Sequence, residues 1–328
     1  MVANLPGALL ATLDHPTVVP QQYAAKRDAA EFSCRSRATA GLRPILAVLV
    51  LTLGTSAMAI DLVPLWDFDR PDISEQRFRT ALATASGDDA LILQTQIART
   101  YGLRGEFERA RAVLKSLDSA MPQASAEARV RYALELGRTY ASGTHPAESQ
   151  TPQARELARA EYLCAFETAK RAQLDNLAID ALHMLALIDT APTDQLKWGR
   201  EALAVSQASA QPAARQWEAS LRNNVGYALH QLGRYDEALQ QFTLAVALRE
   251  RGTNAQATRV AYWMVAWTLR AMGRTQEALD IQLRLERERD AAGTPSPYVF
   301  EELELLYRSK GDTARADAYA ARKMALSK

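Results

Sequence analysis

Cysteine is almost missing from this chain: Cys34 and Cys164 are the two in 328 residues. Cys34 falls in a region expected to be lost from the mature chain, so an intramolecular disulfide is excluded there. Cys164 sits in LARAEYLCAFETA, among alternating small and large apolar residues, and a buried, inert thiol is expected. Histidine is equally scarce, at His15, His145, His183 and His230. None lies in an H-E-x-x-H pair or beside a cysteine pair, so no zinc site is expected. His145 belongs to a polar loop, whereas His183 and His230 fall on helices as satisfied or partly exposed side chains. No phosphate loop and no G-x-S-x-G elbow occur, and Ser142-Gly143-Thr144-His145 has no partner acid nearby in sequence. The chain is therefore not read as an enzyme, and neither catalytic residues nor a cofactor is expected. Val and Ile are sparse after residue 60, and alternating apolar and polar runs are hard to find, which argues against strands. Charge of one sign is also lacking: the formal net charge is +1. A nucleic-acid binder should carry a basic stripe. Here Arg residues are interleaved with acids at helical spacing, as in Glu106, Glu108, Arg109 and Arg111, which reads as a solvated helix face.

What is present favours helix. Apolar residues make up 48% and charged residues 23%, the balance of a folded protein. Ala, Leu, Arg, Gln and Glu dominate, all of them strong helix formers. The longest apolar run near the start, Ile45 to Leu53, is far shorter than the ~20 residues of a membrane-spanning helix. Arg35, Arg37 and Arg43 precede it, and Ala57-Met58-Ala59 offers a small-x-small site before Ile60. These are the parts of a secretory signal, assigned to residues 42–59, and they imply export to the periplasm or secretion. Residues 1–41 carry breakers (Pro6, Gly7, Pro16, Pro20) and no periodicity. They read as disordered, or as a start assigned too far upstream, the true one lying near Val19 or Leu42 at a non-AUG codon. The alternative is a disordered extension before an uncleaved anchor. Loss of 1–59 removes five bases (Lys26, Arg27, Arg35, Arg37, Arg43) and three acids (Asp14, Asp28, Glu31), leaving 34 bases and 35 acids. Residues 60–72 are expected to be extended, with Asp72 and Glu75 forming a capping box for a lone helix to about Ala85.

A pattern then recurs. NNVGYALHQLGRYDEALQQF holds Gly226, Gly233, Tyr235, Ala238 and Phe242, followed by Ala245. VAYWMVAWTLRAMGRTQEALDIQL places Ala266, Gly273, Ala278 and Leu285 in register, 40 residues on, and Tyr307, Gly311 and Ala316 follow after 38 more. Upstream, Ala98, Tyr101, Gly105, Phe107, Ala110, Leu114 and Pro122 give another copy. Two worn copies lie between: Leu136, Gly137, Tyr140, Ala158, Tyr162 and Ala165, then Leu185, Ala186, Gly199, Leu203 and Ser206. Each unit reads as two antiparallel helices joined by a tight turn, with Gly just past the first helix in a left-handed conformation. Small residues mark close approach of the helices, and large ones fill the gap beside them. One pair cannot bury its apolar face alone, so neighbours must stack into a solenoid.

Over residues 74–328 the chain resembles the tetratricopeptide repeat (TPR) family, best at Gly226-x6-Gly233-x-Tyr235-x2-Ala238-x3-Phe242-x2-Ala245. The longer 38–40-residue period is similar to the kinesin-light-chain type. The resemblance implies an all-α, right-handed α-solenoid of about 13 helices, a lone helix plus six pairs over 73–328 in one domain. Its last pair, from about Pro297 to Leu326, should act as the cap. The resemblance also implies a concave surface lined by first helices: Thr95, Gln96 and Arg99; Leu134, Glu135 and Arg138; His183, Met184 and Leu187; Asn223, Asn224 and Tyr227; Trp263, Met264 and Trp267; Glu301, Glu302 and Leu305. Asn224 falls where the family often places an amide that hydrogen-bonds a ligand backbone, offering both donor and acceptor. Trp263 and Trp267 lie one turn apart on one face, and Trp is enriched at binding hot spots. The expected function is an exported scaffold holding a protein or peptide partner. Affinity would come from Trp263, Met264, Trp267 and Tyr227, register from Asn223 and Asn224, and contact with acidic partner residues from Arg99 and Arg138. The Lys/Arg set with which family members clamp chaperone tails is not seen in the best-matching repeat. The alternative is a structural subunit of an envelope assembly acting through its convex face or ends, for which an apolar stripe on second helices would argue.

Overall fold

The computed structural model describes residues 60–326. Residues 1–41, Cys34 and the signal segment 42–59 lie outside them. Among the described residues there is no strand, and thirteen helices of nine or more residues follow one another. These are α1 (Pro71–Leu82), α2 (Gly87–Leu103), α3 (Phe107–Lys115), α4 (Ala126–Tyr140), α5 (Pro152–Arg171), α6 (Asp175–Ile188) and α7 (Pro192–Ala208), then α8 (Glu218–Gln231), α9 (Tyr235–Arg249), α10 (Ala255–Ala271), α11 (Thr275–Ala291), α12 (Pro297–Ser309) and α13 (Thr313–Ala325). A single helical turn, Pro212–Arg215, precedes α8. Each helix packs on the next in sequence, and first helices also touch across repeats, α2 on α4, α4 on α6, α8 on α10 and α10 on α12. This one-dimensional contact pattern is that of an α-solenoid. Its core runs from Leu62 through Phe78, Leu93 and Leu114 at one end to Leu303, Leu306 and Ala316 at the other.

The turn glycines have the backbone their spacing predicts. Gly105, Gly233, Gly273 and Gly311 adopt φ of 75°, 72°, 75° and 77°. At each, the next residue's N–H reaches back to close the helix end: Glu106 to the Tyr101 carbonyl, Arg234 to Leu229, Arg274 to Leu269 and Asp312 to Tyr307, at 2.9–3.0 Å. These bonds satisfy carbonyls that a helix end otherwise leaves unpaired. The small residues also do what their positions imply. A Cβ built on Gly226 would stand 2.7 Å from Phe242 Cε1, and one on Gly137 would stand 2.6 Å from Tyr162 Cε1. Both rings are fully enclosed.

Three local expectations are corrected. Residues 60–72 are not simply extended, because Val63–Leu65 form a 3₁₀ turn and α1 begins at Pro71. The capping box does not form. Pro at the first position starts the helix, Arg70 is the N-cap without a side-chain bond, and Asp72 pairs with Arg70. Glu75 instead accepts from Arg79, Tyr101 and Arg104, tying α1 to α2. Cys164 is half-buried rather than enclosed.

Candidate binding groove

A cleft of about 640 Å³ runs along the first helices of the N-terminal half. From α2 it takes Gln96 and Arg99. From α4 come Arg131, Leu134, Glu135 and Arg138, and from α6 Asn176, Leu177, Asp180, His183 and Met184. Trp217 and Ser220, at the start of α8, close the far end, with Arg249 beside them. A smaller apolar recess adjoins it, sharing Arg99, Glu135, Arg138 and Met184 and adding Leu187 and the Ser142–Thr144 loop.

Charges cross this cleft from helix to helix. Arg99 Nη1 donates to Glu135 Oε1 at 3.1 Å, Arg138 Nη1 to the same oxygen at 2.5 Å, and Arg138 Nη2 to Asp180 Oδ1 at 2.5 Å. The chain of contacts spans α2, α4 and α6. For Arg138, burial works against the charge, but Asp180 and Glu135 outweigh it and raise the pKa. Burial would likewise lift Asp180, yet Arg138 and Arg99 pull it down to about 2. Both groups are therefore charged at any physiological pH. Similar ties continue along the solenoid. The Trp217 indole N–H donates to Asn176 Oδ1 at 2.9 Å, and Arg270 grips the enclosed Glu302 with two bonds of 2.8 Å.

The segment before α1 supplies another wall through Leu62, Val63, Trp66 and Phe68. Trp66 and Phe68 stack with centroids 4.6 Å apart and planes 4° from parallel. The Arg99 guanidinium lies 5.8 and 5.9 Å from their ring centres, within cation–π range. Trp66 Nε1 donates to Gln96 Oε1 at 3.2 Å, and Ser74 Oγ exchanges hydrogen bonds with the backbone of Asp67.

The expected lining residues divide sharply. Gln96, Arg99, Leu134, Glu135, Arg138, His183 and Met184 gather at the cleft. Trp263, Met264 and Trp267 instead enter the core, at 2%, 0% and 6% exposure. Trp267 stacks on His230 at 3.3 Å, on Tyr227 at 5.9 Å and on Trp263 at 5.8 Å. The Trp263 indole N–H donates to the Tyr298 carbonyl. These rings bury one another between adjacent first helices, where Arg side chains at matching positions keep their charge toward the cleft. Glu302 is fully enclosed for the same reason of position, and burial raises its pKa. Asn223 is buried with both amide atoms lacking a protein partner, and Tyr227 packs on Trp267, while Asn224 is half-buried. Sequence reasoning missed Trp66, Phe68, Arg131, Asp180 and Trp217. Trp66 and Phe68 lie outside the repeat, so no periodicity marks them. Ser142 Oγ and His145 Nδ1 are 2.9 Å apart, but His145 Nε2 faces the Thr139 carbonyl rather than an acid, and the ring stacks on Phe107. This is a loop staple.

A tetratricopeptide repeat family model matches residues 217–286, the stretch containing α8 to α11. The paired helices, the turn glycines and the stacked first helices on either side of that stretch continue the same architecture. Residues 217–286 match the tetratricopeptide repeat family, inside a solenoid of the same helix-pair design. No curated protein matches it in sequence. Among solved structures it is similar to apo RapI, with a TM-score of 0.62 and 10% identity over 78% of this chain and 70% of that one. It is also similar to a signal transduction ATPase with numerous domains, carrying a tetratricopeptide repeat sensor, from Pyrococcus horikoshii. That match has a TM-score of 0.59 and 14% identity over 77% of this chain but 38% of the other, so the repeat protein spans well under half of that ATPase. NprR in complex with its cognate peptide NprX follows, with a TM-score of 0.50 and 11% identity over 81% and 76% of the two chains. At such identities these likenesses show the fold.

Proposed function

We propose that this protein is an exported scaffold, periplasmic or secreted, that holds a protein or peptide in the cleft between α2, α4, α6 and the start of α8. One observation carries the reading: a cleft of about 640 Å³ whose polar lining comes from three successive first helices. That volume suits a peptide segment rather than a folded domain. The NprR neighbour, solved with a peptide, supports the same class of ligand. Arg99 and Arg138 offer charge-assisted contacts to an acidic partner residue, and Asn224 lies one helical turn beyond Ser220. In the envelope-subunit alternative a continuous apolar stripe on second helices would be needed. Among the described residues, the exposed Leu157, Leu244 and Met324 fall one each on α5, α9 and α13, which does not favour that reading.

A photo-crosslinking residue in place of the exposed Gln216, at the cleft, is expected to capture a partner in the native host. The same residue in place of Leu157 on α5 is not. Equal capture from both positions, or from neither, sinks the cleft reading. Fusing alkaline phosphatase after Ile60 tests export: activity is expected in intact cells, and its absence overturns the localisation.

A further inference from the structure

The wall made by Leu62, Val63, Trp66 and Phe68 comes from a segment outside the repeats, and only Leu62 and Trp66 of the four pack on the core. Trp66 does pack edge-on against Phe78, with centroids 4.9 Å apart, but Phe68 stacks on the outer side of Trp66 and adds nothing to the α1–α2 core. Yet the segment is fixed in place by Trp66 on Gln96, by Asp67 on Ser74 and by burial of Leu62. It leaves Phe68 38% and Val63 80% exposed at the cleft. An ordered aromatic pair beside an Arg, at the mouth of a cleft, costs solvation of apolar surface that a ligand would relieve.

The charge of the cleft indicates what that ligand carries. Arg99, Arg131, Arg138 and Arg249 line it, against Glu135 and Asp180. Both acids are held by Arg138. A cationic ligand would therefore find both carboxylates engaged, and although Arg131 is paired with Glu127, Arg99 and Arg249 leave the lining net positive. An anionic ligand meets Arg99, which spends Nη1 on Glu135 while its buried Nε has no partner. We propose that the Ile60–Arg70 segment is part of the binding site, and that the cleft takes a short acidic peptide that stacks an aromatic side chain on the Trp66–Phe68 pair while its carboxylate reaches Arg99. This rests on the cleft being a peptide site.

The test uses the full chain and three fluorescein-labelled pools of short peptides, acidic with aromatics, acidic with aliphatics, and basic with aromatics, read by fluorescence anisotropy. The acidic-aromatic pool is expected to bind best and to weaken as salt rises. Phe68→Ala, a change at an exposed ring, should lower its affinity about fivefold, to the level of the acidic-aliphatic pool. Arg99→Gln should cost about tenfold and abolish the preference for acidic over basic pools, while Arg99→Lys keeps part of it. Unchanged helical circular dichroism checks each variant. The inference is overturned if the basic pool binds as well as the acidic one, or if Phe68→Ala and Arg99→Gln leave the preferences intact. Binding of all pools alike sinks this inference and spares the cleft as a peptide site. Failure of every pool to bind wild type sinks both.

Discussion

Replacing Gly137 by Ala puts a methyl group where α4 meets α5, and its effect can be worked from the packing. The added Cβ would lie 2.6 and 2.9 Å from Tyr162 Cε1 and Cδ1, well inside contact distance. The ring cannot give way cheaply. It is fully enclosed, and its hydroxyl donates to the Ala141 carbonyl at 2.8 Å. Overpacking of this kind costs about 1–3 kcal/mol, and disturbing the buried hydroxyl bond adds about 1 kcal/mol. Against this, Ala is the better helix former by about 1 kcal/mol. The net expectation is a loss of about 1–3 kcal/mol. Gly102, in the last turn of α2, is the control, because a Cβ there meets nothing within 4 Å. Gly102→Ala should gain up to about 1 kcal/mol from propensity alone. Thermal unfolding followed by circular dichroism separates the two, since each kcal/mol moves the Tm by about 2–4 °C in a protein of this size class. Opposite shifts are expected from the same chemical change. If Gly137→Ala melts at or above the wild type, the close-approach account of the small residues is refuted.

Gln282 stands where the preceding repeat has Phe242, is fully enclosed, and has both amide atoms without a protein partner. Gln282→Met, similar in volume, should raise stability by about 1–3 kcal/mol by removing an unsatisfied buried amide, and a lower urea midpoint would contradict it. His230 is kept neutral by burial and by Arg270, which push its pKa down from 6.5 to about 4. With the folded value below the unfolded one, its stabilisation is complete above pH 6.5 and is lost as pH falls toward 4. His145, also lowered by burial, titrates in the same direction, so His230→Gln should flatten part of the Tm decline between those values, and an unchanged slope counts against the assignment. Trp263→Ala should cost about 3–5 kcal/mol of stability, measured by denaturant unfolding. A variant as stable as wild type would mean that the ring is not part of the core.

Much of the architecture was legible without coordinates. Gly105, Gly233, Gly273 and Gly311 recur at positions where only a left-handed residue closes the helix. Gly226 with Phe242, and Gly137 with Tyr162, announce helix pairs in close contact. Those features are local or nearest-neighbour, and a repeat forces them to recur, so sequence carries them openly. At the start of α1 the spacing of Asp72 and Glu75 fits a capping box, but Pro71 opens the helix, Asp72 pairs with Arg70, and Glu75 is taken by its longer-range partners Tyr101 and Arg104.

For the binding cleft the division is different. The resemblance to the repeat family implied that first helices would line a common surface, with Arg99 and Arg138 among its residues, and both side chains lie at the cleft. Tertiary structure decided which half of that surface is open. Tyr227, Trp263, Trp267 and His230 occupy first-helix positions like those of the cleft residues, but their rings gain more by stacking between α8 and α10 than by facing water. Arg99 and Arg138 cannot be buried without carboxylates, and Glu135 and Asp180 meet them at the cleft edge. The aromatic wall of Trp66 and Phe68 was invisible beforehand, because a segment outside the repeat is placed by contacts with residues some thirty positions away, which no local pattern encodes.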